Sequence, residues 1–372
     1  MKTITIGIPA FHAQEHICNA ISSIKIQTKI DDIAIVIAKD DPDDSYEFIR
    51  ERYPDLDITI LECEKNTGPG LARQRALDYC RTPWITFMDA DDVLVTPFSI
   101  ENLYNAIEPN CIEVMGVFLQ EVNDNPNLRV IQIGHLTHPW VFGRLYNVDF
   151  LRKNNVRFSE LRAMEDGEFN TKINLITTGT QLFIKQINAE VYLWKVGSEH
   201  SITRIGVDEN GIPQYNFDLC AVGAVEAAIR AIKFAQELNP FNGNITKYTV
   251  EMMINCYFTY IECVGKRPIF AEQCFWNAKN FYHTCYKQIE NQISKKILTD
   301  LYTSTLTVKA NDLVGIIPEI TLFDFIEAVK TSPFGGGTEF NDIRAKLPED
   351  IIQNDIKTGV LGAMDIGSTS VI

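Results

Sequence analysis

Three carboxylates, Asp89, Asp91 and Asp92, follow the run Trp84-Ile85-Thr86-Phe87-Met88 with only Ala90 among them and no Lys or Arg. The aromatic and β-branched run reads as a buried strand, so the carboxylates fall in the turn at its end. Carboxylates set side by side repel and raise one another's pKa, and a cation among them relieves both effects. Oxygen ligands alone suit a hard divalent ion, Mg²⁺ or Mn²⁺. The competing reading is a solvated turn in which Asp91 or Asp92 caps the next helix. A second acidic strand end, Lys39-Asp40-Asp41-Pro42-Asp43-Asp44, follows the aliphatic run 33–38. A third acidic pair, Glu165-Asp166, opens a helical stretch, where its bland role is to complement the helix macrodipole.

Bringing such ends together requires strands and helices in alternation, and the chain supplies them. Residues 3–8 alternate polar and apolar, Pro9-Ala10-Phe11-His12 ends that strand, and Ile17, Ala20, Ile21 and Ile24 predict a helix over 15–27. Residues 33–38 are almost wholly aliphatic, as in a parallel strand covered on both faces. A helix over 45–52, a strand over 56–62, a turn at Asn66-Thr67-Gly68-Pro69-Gly70 and a helix over 71–80 carrying Arg73 and Arg75 lead to the strand before Asp89. This is the pattern of an α/β layer with a mostly parallel sheet, whose ligands bind where strands end and loops diverge.

Farther on, strands are expected over 111–120 and 129–133 with a polar hairpin at 123–127, then an aromatic loop over 138–144, a helix over 148–153, another from Glu165 to Leu175 and a strand over 183–194. Trp140 and Phe142 in the aromatic loop either shape a sugar or acceptor pocket or pack in the core. From about residue 217 the period changes, with Leu219, Val222, Val225, Ile229 and Ile232 at spacings of three and four and further helical patterns over 245–265, 269–295 and 318–330. The expected division is a sheet domain over 1–207, a helical domain over 208–331 and a loosely held tail over 332–372 around Gly335-Gly336-Gly337.

A chain of 372 residues exceeds one ordinary core, and 45% hydrophobic with 22% charged residues excludes a disordered or fibrous protein. The net charge of -15 disfavours passive binding to nucleic acid or anionic membranes, which needs fixed positive charge. The nine cysteines include no Cys-x-x-Cys, so free thiols buried as small hydrophobes are expected. Cys256, Cys263, Cys274 and Cys285 would line one helical stripe, but Pro268 interrupts it. No stretch is apolar enough to span a membrane and residues 1–9 lack a signal-peptide pattern, so the expected compartment is the cytoplasm.

The ordered set Ile6-Gly7-Ile8-Pro9-Ala10-Phe11, Asp40-Asp41, Asn66-x-Gly68 with Ala72-Arg73, Asp89-Ala90-Asp91-Asp92, Gly143-Arg144-Leu145-Tyr146 and Glu165-Asp166 resembles the inverting GT-A glycosyltransferases of family 2 over roughly residues 1–205. The resemblance implies a GT-A, Rossmann-like nucleotide-binding domain followed here by an α-helical C-terminal domain. It implies transfer of a sugar, with inversion, from a nucleoside diphosphate donor of the UDP-sugar kind to an acceptor hydroxyl. Pro9, Ala10 and Phe11 would lie against the nucleoside, Asp41 would accept from the pyrimidine and Asp89 from the ribose. Glu15, Gly68, Arg73 and Ala90 would complete the donor set. Asp91, with His200 as a further metal or phosphate contact, would hold Mn²⁺ or Mg²⁺ against the diphosphate, and Asp166 would be the general base. The chain departs from the family pattern at Phe11-His12, where Tyr-Asn is usual, at Pro42-Asp43, where Gly-Ser is usual, and at Gln74, where Asn is usual.

Two rivals share the architecture. A sugar-nucleotide pyrophosphorylase needs a Gly-rich basic loop after the first strand, and residues 9–27 supply none. A non-catalytic binding or scaffold protein would keep the fold for partners of the helical domain. The acceptor is left open among a glycan, a protein, a lipid-linked sugar and a modified nucleic-acid base, the last requiring a local basic groove near Arg144, Arg152, Lys153 and Arg157. Self-association through the helical domain is a further expectation.

Overall fold

The computed structural model describes residues 2–124, 127–133, 139–195, 204–207, 213–215, 217–240, 242–309, 313–316 and 318–332. The chain divides into two compact units, Met1–Ser201 and a second that begins at Ile202.

In the first unit the elements run β1 (Ile4–Ala10), α1 (Ile17–Lys25), β2 (Ile33–Lys39), α2 (Glu47–Arg52), β3 (Ile58–Leu61), α3 (Pro69–Tyr79), β4 (Trp84–Phe87), β5 (Val93–Leu94), α4 (Ser99–Asn105), β6 (Cys111–Asp124), β7 (Asn127–Ile133), β8 (Arg144–Asn147), α5 (Val148–Lys153), α6 (Glu165–Thr177) and β9 (Phe183–Trp194). They build a nine-stranded sheet in the order β3-β2-β1-β4-β8-β6-β9-β5, with β7 paired to β6. The first four strands of that order are parallel; β6 and β9 pair in parallel, and the remaining pairings are antiparallel.

The order explains where a ligand can enter. Strand β1 lies between β2 and β4, so successive crossovers leave it in opposite directions and a crevice opens beyond its carboxyl end. Ala10 pairs with Lys39 and Gly7 with Phe87, which places the ends of β1, β2 and β4 along one edge. The loops carrying Phe11, Asp40 to Asp44 and Asp89 to Asp92 therefore share that edge. Helix α3 is drawn close beneath it, because a Cβ on Gly7 would stand 3.0 Å from that of Ala76. Both faces are buried here: Ile4, Ile6, Ile8, Ile35 and Ile37 line one, each burial worth about 1.5–3 kcal/mol, and Val36 and Ala38 pack on Ala72 and Ala76 of α3 on the other.

The second unit carries the short pair β10 (Arg204–Val207) and β11 (Pro213–Tyr215) and the helices α7 (Phe217–Leu238), α8 (Gly243–Lys266), α9 (Ala271–Thr284), α10 (Lys295–Lys309) and α11 (Leu322–Thr331). Phe325 of α11 packs against Tyr257 and Tyr260 of α8 at ring separations of 5.5 and 5.1 Å. Two expectations are corrected here. The single helical stretch over 269–295 is α9 followed by short 3-10 turns, and a separate α10 takes over at Lys295. The loop over 138–144 ends one residue early, because Arg144 already belongs to β8 and pairs with Met115. Pro268 does break the cysteine stripe, and the turn it makes folds α9 back so that the Cys263 and Cys274 sulfurs approach to 3.3 Å. All nine cysteines are free thiols. Among the described residues no helix is long and apolar enough to cross a membrane.

Candidate active site

The loop after β1 and the loop after β2 are tied together by Asp44. Its buried carboxylate accepts from the backbone N–H of His12 (2.7 Å), the His12 ring (3.1 Å), the Gln14 amide (2.6 Å) and the Tyr46 hydroxyl (2.9 Å). Burial pushes its pKa up, but the hydrogen bonds from Gln14, His12 and Tyr46 outweigh that and hold it below the usual value. The tie holds His12 in the left-handed region (φ 48°), a strained position for a non-glycine residue, and leaves the Phe11 ring 40% exposed. Asp40 performs the same task for the next loop, accepting from the N–H groups of Thr67 (2.9 Å) and Gly68 (2.8 Å). Gly68 needs its lack of a side chain, since its φ is 89°. Asp41 is half-buried beside them, one oxygen accepting from the Asp43 N–H at 2.8 Å and the other 3.6 Å from the His12 ring.

Arg73 is the centre of the cluster. Helix α3 presses against residues 159–165 so closely that a Cβ on Gly70 would fall 2.5 Å from the Ser159 carbonyl oxygen and 2.9 Å from Glu165. One turn later the buried guanidinium of Arg73 donates to Asp89 (2.7 Å) and to Glu165 (2.6 Å). Burial works against its charge, and the carboxylates of Asp89, Glu165 and Asp166 outweigh that and push its pKa up. Met164, at φ 67°, turns the chain into α6 so that Glu165 points at Arg73 and Asp166 follows it. Burial, together with the charge of Asp166, pushes Glu165 up to about 8 against the pull of Arg73. Asp166 is likewise raised, by burial first and by Asp89, with Arg73 opposing.

The acidic turn divides its three carboxylates. Asp92 is fully buried and accepts from the Tyr192 hydroxyl (2.5 Å) and the Lys195 N–H (2.8 Å). The same Tyr192 oxygen accepts from the Asp89 N–H at 3.0 Å. Burial and the neighbouring charges of Asp91 and Asp89 push Asp92 well above the carboxylate range. Asp92 is thus a brace, and neither the cap nor a ligand. Asp89 and Asp91 are left partly accessible at the edge. Among the described residues no group of three His, Cys, Asp or Glu side chains is gathered for a metal. Two partly accessible carboxylates would fit a hard cation that completes its shell with phosphate oxygens and water.

Of the other residues expected here, Pro9 and Ala10 end β1 on the same edge, Ala90 is buried in the turn, and Glu15 is exposed ahead of α1. His200 lies outside the described residues. Sequence reasoning missed Asp44, Tyr192 and the buried pair Glu113–Arg144, joined at 2.5 Å between β6 and β8. Only for Arg144 was there a signal, its place in the Gly143-Arg144-Leu145-Tyr146 motif.

Residues 5–168 match the model of the family described as glycosyl transferase family 2. A teichoic acid poly(glycerol phosphate) polymerase of Staphylococcus epidermidis is 33% identical over 98 residues, 26% of this chain and 14% of the polymerase. A processive diacylglycerol beta-glycosyltransferase of Mycoplasma pneumoniae is 25% identical over 199 residues, 52% of this chain and 50% of that protein. The chain therefore spans half the length or less of these relatives. Residues 1–349 of S. aureus TarS, solved in complex with UDP, superpose with a TM-score of 0.57 at 14% identity, covering 90% of this chain and 93% of that one. That likeness is one of fold.

Proposed function

Residues 5–168 form a glycosyl transferase family 2 domain, and on that premise we propose that the protein moves a sugar from a nucleoside diphosphate donor, a UDP-sugar, to an acceptor hydroxyl with inversion. The observation that carries the reading is the Arg73 clamp, which gathers Asp89 of the acidic turn and the Glu165-Asp166 pair at the crevice beyond β1. A nucleotide sugar needs a site at a strand-switch crevice with oxygen acceptors for base and ribose. Asp41 and Asp89 supply them, and the exposed Phe11 ring offers the nucleoside an apolar face.

Asp91, with Asp89 beside it, would hold Mg²⁺ or Mn²⁺; the ion, when bound, offsets the charge that develops on the departing diphosphate. Asp166 takes the proton of the acceptor hydroxyl. Its raised pKa makes it a stronger base than a free aspartate, and the Arg73 network fixes its place.

The test is a panel of nucleotide sugars read by thermal shift and by release of nucleoside diphosphate, with and without Mn²⁺. A uridine donor should raise the melting temperature and be turned over. Asp91→Asn should abolish the dependence on Mn²⁺, and Asp166→Asn should keep donor binding while losing transfer. The reading fails if no nucleotide stabilises the protein and Asp91→Asn changes nothing.

A further inference from the structure

Where α8 turns back into α9, two thiols meet that the donor chemistry does not use. Cys263 lies three residues before the end of α8 at Lys266, and Cys274 three residues after the start of α9 at Ala271. The link between the helices is fixed by the 3-10 turn Pro268–Phe270 and by the Arg267 N–H, which donates to the Cys263 carbonyl at 2.7 Å. The reversal brings the two sulfurs to 3.3 Å, both buried in an apolar cluster with Tyr260, Phe270 and Ala271. A bonded pair stands at about 2.05 Å, so the sulfurs have to close by roughly 1.2 Å, a movement that side-chain rotation and a slight approach of the helices can supply.

Buried thiols usually act only as small hydrophobes, because burial disfavours the reactive thiolate. This pair differs in being reached from a cavity. A space of about 50 Å³ between α7, α8 and α9 has Cys274 and Cys256 in its wall, with Thr259 and Asn277 as polar groups beside them. One water needs about 10–15 Å³, so a molecule the size of hydrogen peroxide fits. Among the described residues that wall does not include Cys263, which stands against Cys274 instead. The neighbouring Cys274 sulfur, and burial after it, push the Cys263 thiol up, so Cys263 keeps its proton beside the sulfur that an oxidant meets first.

We infer that Cys263 and Cys274 are a peroxide-responsive dithiol whose disulfide staples α8 to α9. The device lies within the second unit and needs nothing of the donor site. In the first step the Cys274 sulfur attacks one oxygen of the peroxide: the O–O bond breaks, an S–O bond forms, and the thiol proton leaves with the other oxygen as water. In the second the Cys263 sulfur attacks the sulfur of the Cys274 sulfenic acid: the S–O bond breaks, the S–S bond forms, and the Cys263 proton leaves with the hydroxyl as water. Two thiols are thereby oxidised by two electrons, and one peroxide is reduced to two waters. A dithiol reductant reopens the bond by exchange and becomes a disulfide itself.

The experiment treats the folded full chain with hydrogen peroxide, removes the excess with catalase, blocks the remaining thiols with N-ethylmaleimide in denaturant and maps the unreduced digest by mass spectrometry. A Cys263–Cys274 cross-link should dominate among the nine cysteines, lower the mass of the joined peptides by two hydrogens and vanish with dithiothreitol. It should form faster in the folded chain than in urea, where the two sulfurs are no longer held together. Cys263→Ala should leave on Cys274 a sulfenic acid that dimedone traps, whereas Cys274→Ala should leave none on Cys263; the reverse labelling would overturn the order of attack. Should either variant fail to fold, the map of the unaltered chain decides by itself. Recovery of both residues as thiols after peroxide, pairing of Cys274 with Cys256, or formation no faster in the folded chain than in urea would overturn the pair.

Discussion

Replacing Arg73 by methionine removes a buried guanidinium and keeps its bulk. Two ion pairs go with it, and they are unequal. Asp89 is 32% exposed, so water and counter-ions can replace its partner and that half is worth ~0.5 kcal/mol. Glu165 is 7% exposed and stands next to Asp166, so above pH 8, where the parent holds it ionised, it would be left as an uncompensated buried charge at a cost of about 3–5 kcal/mol. For a unit of this size that is a fall of about 6–20 °C in melting temperature. The loss also depends on pH in a definite sense. Glu165 in the folded chain is pushed up to about 8 against an ordinary 4.5, so it favours the folded state when protonated, and that contribution is lost as pH rises toward 8. Without Arg73 its pKa rises further, and the variant should be closest to the parent at pH 5 and furthest from it at pH 8.5. Urea unfolding of the full chain at both pH values measures this. The double variant Arg73→Met with Glu165→Gln should regain more than about 1 kcal/mol of the single loss. Strict additivity, or a cost below about 1 kcal/mol at pH 8.5, would refute the clamp as the element that joins the two halves of the site.

The acidic limb of the pH profile of transfer should lie above the ordinary carboxylate range, because burial and Asp89 raise Asp166, as steady-state rates from pH 4 to 9 would reveal. Gly70→Ala should destabilise by about 1–3 kcal/mol in chemical unfolding, because the added carbon meets a backbone oxygen at 2.5 Å and cannot be relieved by a rotamer change. Tyr192→Phe should cost about 1–3 kcal/mol by orphaning the Asp89 N–H and one oxygen of buried Asp92, and calorimetry should find weaker UDP binding in Mn²⁺.

The first half of the sheet was legible because β1 alternates along its length and β2, buried on both faces, is almost wholly aliphatic. Helix α10 was not legible, for a reason visible in its composition. Its threonines favour strands and turns when read locally, yet in place each hydroxyl bonds the carbonyl one turn back, Thr299 to Lys295, Thr303 to Thr299 and Thr307 to Thr303 at 2.9 to 3.0 Å. Among the site residues, those in short acidic motifs could be found from the string. Asp44 could not, since an acidic loop reads as solvated and its partners His12 and Gln14 lie 32 and 30 residues away. Tyr192 is farther still, 103 residues from Asp89 and 100 from Asp92, and such a contact leaves no periodic trace.

That distant tyrosine changes what the acidic turn can be. Three adjacent carboxylates suggest one shared cation, but Asp92 is removed from the set by a hydroxyl and a backbone N–H, and the oxygen of Asp89 nearest Arg73 is already neutralised. The protein therefore does not build a closed cage for an ion in this turn. Asp91 and Asp89 are partly accessible at the edge, and on the proposed reading two such carboxylates would share Mg²⁺ or Mn²⁺ with a diphosphate rather than enclose it. Affinity for the ion should then depend on the nucleotide, and affinity for the nucleotide on the ion, by the same factor. Isothermal titration of Mn²⁺ with and without UDP measures that factor directly. Equal Mn²⁺ affinity in the two titrations would mean that the carboxylates of the turn do not share the cation with the donor.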